Sequence, residues 1–145
     1  VKGDVPVTGL EWEVYPAGLH DVLEWVWRSY AESAGVRWLL VTENGAAYPD
    51  EVTEGDDGPR VHDAERLEYL RAHLHEVWRA IQKGVPVRGY YAWSLLDNFE
   101  WAHGYTQRFG IVYVDFKTQR RVVKDSGRWY AAVAHANALS PMGEL

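Results

Sequence analysis

Two short apolar runs constrain this chain more than any other feature. One is Trp38-Leu39-Leu40-Val41; the other spans residues 87–94 and is broken by Gly89. Runs this short, bounded by turn residues, have the pattern of strands buried on both faces, as in a parallel sheet. The first run leads into Thr42-Glu43-Asn44-Gly45. Thr42 is expected to end the strand, and Asn44-Gly45 is turn chemistry because both residues tolerate positive φ. Glu43 is thereby placed at the C-terminal mouth of a buried strand, the end where barrels and open α/β sheets do their chemistry. A Glu-Asn-Gly triplet alone marks only the start of a loop, so its meaning rests on the rest of the chain.

Helical patterns flank the runs. Pro16 fits the first turn of a helix whose apolar face is Leu19, Val22, Leu23, Val26 and Tyr30, with Gly35 as its cap. Residues 44–62 form a polar loop of a length that usually signals function. Asp63 can cap a second helix with the face Leu67, Leu70, Leu74, Val77, Trp78 and Ile81, closed by Gly84 and Pro86. After the second strand, a loop dense in polar and aromatic residues runs to Phe109. A short strand, Ile111-Val112-Tyr113-Val114, then turns back at Lys117-Thr118-Gln119-Arg120 towards Val122-Val123. A last helix is expected over about residues 126–138; residues 1–15 are irregular and 139–145 a tail.

This alternation predicts an α/β fold with parallel strands. Two barrel-type strands cannot bury both of their own faces, and a closed (β/α)₈ barrel takes roughly 250 residues. The 145 residues are therefore expected to form a single segment amounting to about a third of such a domain.

Composition excludes several alternatives. A net charge of −6 without clustered Lys and Arg argues against a nucleic-acid surface. No apolar run approaches the roughly 20 residues that cross a bilayer, and the first residues lack the basic and apolar regions of a signal peptide. The lack of cysteine removes thiolate chemistry and fits a reducing compartment, so a cytoplasmic location is expected. The 8 Trp and 9 Tyr call for a large core or for a surface that stacks on something flat.

If the two strands are parallel neighbours, Glu43 and the end of the second run, Trp93-Ser94, open on one rim, and the following loop brings Glu100 and Trp101 there. Indole faces stack on the apolar face of a pyranose, while carboxylates accept hydrogen bonds from its hydroxyls. On pattern alone, both indoles would fit a core equally well. The other candidates are weaker. His73 and His75, two apart on a helix, face different directions and read as surface histidines without metal-ligand spacing. Glu54-Gly55-Asp56-Asp57-Gly58 lacks the full calcium-loop pattern and reads as a solvated loop. Arg120-Arg121 reads as an exposed hairpin tip.

With these residues in view, Thr42-Glu43-Asn44-Gly45 resembles the nucleophile motif of glycoside hydrolase family 1, the β-glucosidase family. Tyr91-Ala92-Trp93-Ser94-Leu95-Leu96-Asp97-Asn98-Phe99-Glu100-Trp101 resembles its sugar-binding segment. Trp12-Glu13-Val14-Tyr15-Pro16, Arg108-Phe109-Gly110 and Lys124-Asp125-Ser126 match in order, so the likeness covers nearly the whole chain. The resemblance implies that Glu43 is the catalytic nucleophile of a retaining β-glycosidase and that Glu100 binds the 4- and 6-hydroxyls. It implies further that Trp93 floors the glycone subsite, Trp101 donates to the 3-hydroxyl and Phe109 helps close the pocket. Where the family usually has Gly, this chain has Glu11, a difference that bears on that loop's local shape.

A retaining glycosidase needs a second carboxyl, the acid/base, about 5–5.5 Å from the first. The Thr-Phe/Leu-Asn-Glu-Pro motif that supplies it in the resembled family is absent here, as are its earlier glycone contacts. The chain is therefore expected to be the C-terminal part of the barrel, to act on β-glucosides or cello-oligosaccharides without a metal or organic cofactor, and to need the N-terminal portion of the same enzyme for activity. The alternatives are a non-catalytic sugar-binding module and a purely structural fragment.

Overall fold

The computed structural model describes residues 5–139. Its elements follow in the order α1 (Pro16–Val26), β1 (Leu39–Asn44), β2 (Thr53–Gly55), β3 (Gly58–Arg60), α2 (Ala64–Gln82), β4 (Val87–Ala92), β5 (Val112–Val114), β6 (Arg121–Val123) and α3 (Asp125–Ala136). β1 and β4 are parallel neighbours, with Leu39 opposite Val87, Val41 opposite Tyr90 and Asn44 opposite Ala92. β1 runs two residues past Thr42, which does not end it.

One face of this pair is covered by α1 and α2. Leu23, Val41, Val77, Ala80, Val85 and Val87 form one core, with Leu19, Trp27, Leu39 and Tyr90 packed against it. Leu70, Ile111 and Trp129 form a second core between α2, α3 and the stretch before β5. The other face of the pair is uncovered among the described residues: Trp38 is 44% exposed, Leu40 46% and Tyr91 58%. The strands are thus apolar on both sides but buried on one. Among the described residues the sheets are all two-stranded, and no closed barrel forms.

Several local expectations need correction. Pro16 starts α1 where no backbone N–H is needed, but α1 passes into a π-turn at Trp27–Ala31. Tyr30 in that turn is 57% exposed and Val22 in α1 55%, so neither lies on the buried part of the expected apolar face. Residues 44–62 are not loop throughout, because β2 and β3 pair as a hairpin within them. Asp63 holds the N-cap position of α2 yet makes no cap hydrogen bond there. Its carboxylate accepts instead from the Ser126 N–H at 2.9 Å and from the Ser126 hydroxyl, which caps α3.

His73 is not a surface histidine. It is buried, stacks on Tyr69 with ring centroids 3.9 Å apart, and its Nδ1 lies 2.7 Å from the Tyr69 carbonyl. Burial lowers its pKa below the usual imidazole value, so it is held neutral with Nδ1–H donating. The Arg120-Arg121 hairpin tip is exposed, as expected. Of the expected tail, residues 140–145 lie outside the described residues.

Candidate active site

The C-terminal ends of β1 and β4 meet at the rim. The Trp93 N–H donates to the Asn44 carbonyl at 2.9 Å, so this bond between the strand ends joins Trp93 itself to the residue after Glu43. Gly45 is required here by close approach rather than by positive φ, which neither it nor Asn44 adopts. A Cβ at Gly45 would stand 1.6 Å from the Trp93 carbonyl oxygen, against backbone that cannot yield. The glycine therefore lets the two strand ends touch, which puts Glu43 and Trp93 on the same rim.

Beyond Trp93 the chain passes through a cis peptide to Ser94 and is zipped to residues 109–112. Ser94 N–H donates to the Phe109 carbonyl at 3.2 Å, Ile111 N–H to the Ser94 carbonyl at 2.8 Å, and Asp97 N–H to the Val112 carbonyl at 3.1 Å. Glu100 and Trp101 follow at a short 3₁₀ turn, Trp101–His103, closed by the Glu100 N–H on the Gly104 carbonyl at 2.7 Å. Glu43, Trp93, Glu100, Trp101 and Phe109 all line one open hollow of about 490 Å³, with Trp12, Asn44, Gly45 and Tyr69. Phe109 is buried in its wall, whereas Trp101 stands 85% exposed at its mouth. Neither Trp93 nor Trp101 is core among the described residues; both are exposed and line the hollow.

Asn44 is held by two phenols. Tyr90 Oη on β4 donates to Asn44 Oδ1 at 2.6 Å, and Asn44 Nδ2 donates to Tyr69 Oη on α2 at 3.2 Å. Burial raises the pKa of both tyrosines, so both remain neutral phenols, Tyr90 donating to Asn44 and Tyr69 accepting from it. The residue after Glu43 is thereby fixed to the neighbouring strand and to the overlying helix.

The segments that carry the lining residues are tied together by a chain of buried ion pairs. Arg66, 1% exposed, grips Asp50 with two bonds of 2.9 and 3.0 Å and Asp63 with one of 2.6 Å. It also donates to the Arg108 carbonyl at 2.7 Å. Lys124 donates to Asp50 at 2.6 Å and to Asp97 at 2.9 Å, and Asp97 accepts from Arg108 at 2.6 Å. Asp97 also receives the Gly110 N–H at 2.9 Å. Burial pulls the Arg66 pKa down, but the bonds and charges of Asp50 and Asp63 outweigh it, leaving the guanidinium above its ordinary value. Burial also pushes the Lys124 ammonium below the usual lysine range, aided by the Arg66 charge and opposed by Asp97 and Asp50. Three carboxylates and three cations thus balance. Arg108 and Gly110 of the segment Arg108-Phe109-Gly110, and Lys124 of Lys124-Asp125-Ser126, all bond within this network.

Sequence reasoning assigned no site role to Trp12 or Tyr69, which the structure adds to the lining. Trp12 was within reach, since it opens the segment matched before the first helix. Its loop folds around Thr8, whose hydroxyl accepts the Leu10 and Trp12 N–H groups at 3.3 Å each. Glu11 sits there at φ +60, the left-handed geometry that favours glycine, so the backbone shape a glycine would take is kept at a cost in strain. Among the described residues no group of His, Asp and Glu has the arrangement of a metal site.

Comparison with known proteins gives a consistent result. The family model described as glycosyl hydrolase family 1 matches residues 1–139. Beta-glucosidase A of Thermotoga maritima is 52% identical over 139 residues, 96% of this chain and 30% of that protein. The bifunctional beta-D-glucosidase/beta-D-fucosidase of Bifidobacterium breve is 51% identical over 126 residues, 86% of this chain and 26% of that protein. The solved family 1 β-glucosidase from Thermotoga maritima superposes with a TM-score of 0.87 at 50% identity, covering 97% of this chain and 30% of that one. The chain therefore spans about 30% of the length of the first relatives it matches, and its two-stranded pair with flanking helices is part of a TIM barrel.

Proposed function

The chain belongs to glycosyl hydrolase family 1, and from that premise we propose that it supplies the nucleophile and part of the glycone pocket of a retaining β-glucosidase. One observation carries the reading: two parallel strand ends bring Glu43, Trp93, Glu100, Trp101 and Phe109 around a single hollow. Ionised Glu43 attacks the anomeric carbon, forming a glycosyl-enzyme ester as the glycosidic bond breaks. The leaving oxygen takes a proton from a second carboxylic acid. Water deprotonated by that group then cleaves the ester, returning the β-anomer and free Glu43. Trp93 and Trp101 bind the sugar through their indoles, Phe109 closes the wall, and Glu100 accepts from the outer hydroxyls.

The proton donor is assigned to the polypeptide that carries the remaining barrel strands, whether in the same chain or a separate one. The bare face of β1 and β4 supports this, since strands apolar on both sides pack in a closed barrel. The test is hydrolysis of 4-nitrophenyl β-D-glucoside by residues 1–145 alone and joined to those strands. Turnover is expected only in the joined form. Turnover by the isolated chain contradicts the division of roles, and sugar binding without turnover in the joined form favours a non-catalytic module.

Glu100 also sets the charge of acceptable glycones. A carboxylate facing the 6-position repels a phosphate there, so neutral glucosides are expected to be preferred over 6-phosphoglucosides. Glu100→Gln is expected to raise KM for the neutral glucoside about tenfold, the worth of one charge-assisted hydrogen bond, and to narrow the preference. Steady-state kinetics on the two substrates checks both effects.

A further inference from the structure

The buried ion pairs lie outside the hollow, and the chemistry proposed above uses none of them. Lys124 is the member that touches carboxylates from both sides of the site. Its side chain is 0% exposed, and its ammonium bonds Asp50 Oδ2 at 2.6 Å and Asp97 Oδ1 at 2.9 Å. Asp50 belongs to the stretch that follows β1 and Glu43. Asp97 belongs to the loop that follows β4 and leads to Glu100 and Trp101, and it also receives the Gly110 N–H beside Phe109.

Each carboxylate has a separate anchor: Asp50 on Arg66, and Asp97 on Arg108. Removing the lysine would leave both anchors and cut the one side chain that, among the described residues, bonds both carboxylates. Other ties between the two sides are single hydrogen bonds, such as the Trp93 N–H on the Asn44 carbonyl at 2.9 Å, the Tyr48 N–H on the Arg108 carbonyl at 3.3 Å and, through α2, Arg66 on that same oxygen at 2.7 Å.

From this we infer that Lys124 is a positioning residue, setting the spacing between the loop that carries the nucleophile and the loop that recognises the sugar's outer hydroxyls. The inference rests on the reading of Glu43 and Glu100 given above. Its consequence is one of discrimination. A glucoside has a hydroxymethyl arm for Glu100 to hold and a xyloside does not, so a misplaced Glu100 harms the first more than the second. Simple loss of folded protein lowers both rates by the same factor.

The test compares Lys124→Met, and Lys124→Met combined with Asp50→Asn, with the unsubstituted protein assembled with the rest of its barrel. The double variant removes one cation and one carboxylate. It therefore keeps the buried charges balanced if the single variant fails to fold, leaving the pairs Asp63–Arg66 and Asp97–Arg108. Backbone hydrogen exchange is expected to quicken in residues 45–50 and 94–104 while β1, α2 and β4 stay protected. The ratio of kcat/KM for 4-nitrophenyl β-glucoside to that for the xyloside is expected to fall about tenfold, as for one lost charged hydrogen bond.

Unchanged exchange overturns the proposal, as does exchange raised evenly through the fold. Loosened loops with an unchanged ratio overturn it too, reducing Lys124 to charge balance. If the unsubstituted protein cleaves neither glycoside, the glycosidase reading has failed, and the exchange measurement still decides whether Lys124 couples the two loops.

Discussion

In the assembled barrel, Glu43→Ala is expected to lower turnover of β-glucosides by about 10⁴-fold or more, which is about 5 kcal/mol of transition-state stabilisation at the usual conversion. On the proposed role, loss of the carboxylate removes the attacking group and leaves the rest of the hollow standing. Glu43 is exposed on β1 and takes no part in the buried network, so folding is expected to survive. The space left by the carboxylate admits a small anion. With a leaving group that needs no proton, such as 2,4-dinitrophenolate, added azide is expected to restore turnover by attacking the anomeric carbon from the vacated face. The product is then the α-glucosyl azide, of opposite anomeric configuration to the β-glucoside. Proton NMR of the product reads this directly. A β-azide, or activity that survives the substitution, contradicts the assigned role.

Arg66→Met is expected to be the most destabilising single change in the fold. The guanidinium is the common partner of Asp50 and Asp63 and of the Ala46, Tyr48 and Arg108 carbonyls. Its removal leaves two buried carboxylates with one fewer cation and several carbonyls unpaired. Breaking a buried pair in this way costs about 3–5 kcal/mol. Urea denaturation of the assembled protein reads this as a lower midpoint at unchanged slope. Arg28→Met, which loses an exposed helix pair with Glu24 at 3.0 Å, is the control and is expected to shift the midpoint little. Equal shifts in the two variants would mean that the network contributes no more than a surface pair.

Far more of the site than of its support was legible in the sequence. Glu43, Trp93, Glu100, Trp101 and Phe109 fall in short contiguous segments at strand ends, and chain order alone brings those segments to one rim. The support is assembled from afar: Asp50 meets Arg66 across 16 positions, Lys124 across 74, and Lys124 meets Asp97 across 27. No local period links such pairs, and by composition each residue reads as solvated surface. His73 differs in kind, because it lies three residues after Leu70 and four before Val77, on a face the sequence already marked as core. Gly45 shows a third case. Its identity was legible but its reason was not, since the carbonyl it must clear lies on another strand.

The measurement closest to the central claim is covalent trapping. A 2-deoxy-2-fluoro-β-glucoside with a dinitrophenolate leaving group slows breakdown of the glycosyl-enzyme more than its formation, so the ester accumulates on the attacking carboxylate. Peptide mass spectrometry of the trapped, assembled protein is expected to find the fluorosugar on the peptide containing Glu43, in stoichiometry with lost activity. A fluorosugar on Glu100 or on a carboxylate outside this chain, in an enzyme that hydrolyses β-glucosides, contradicts the account.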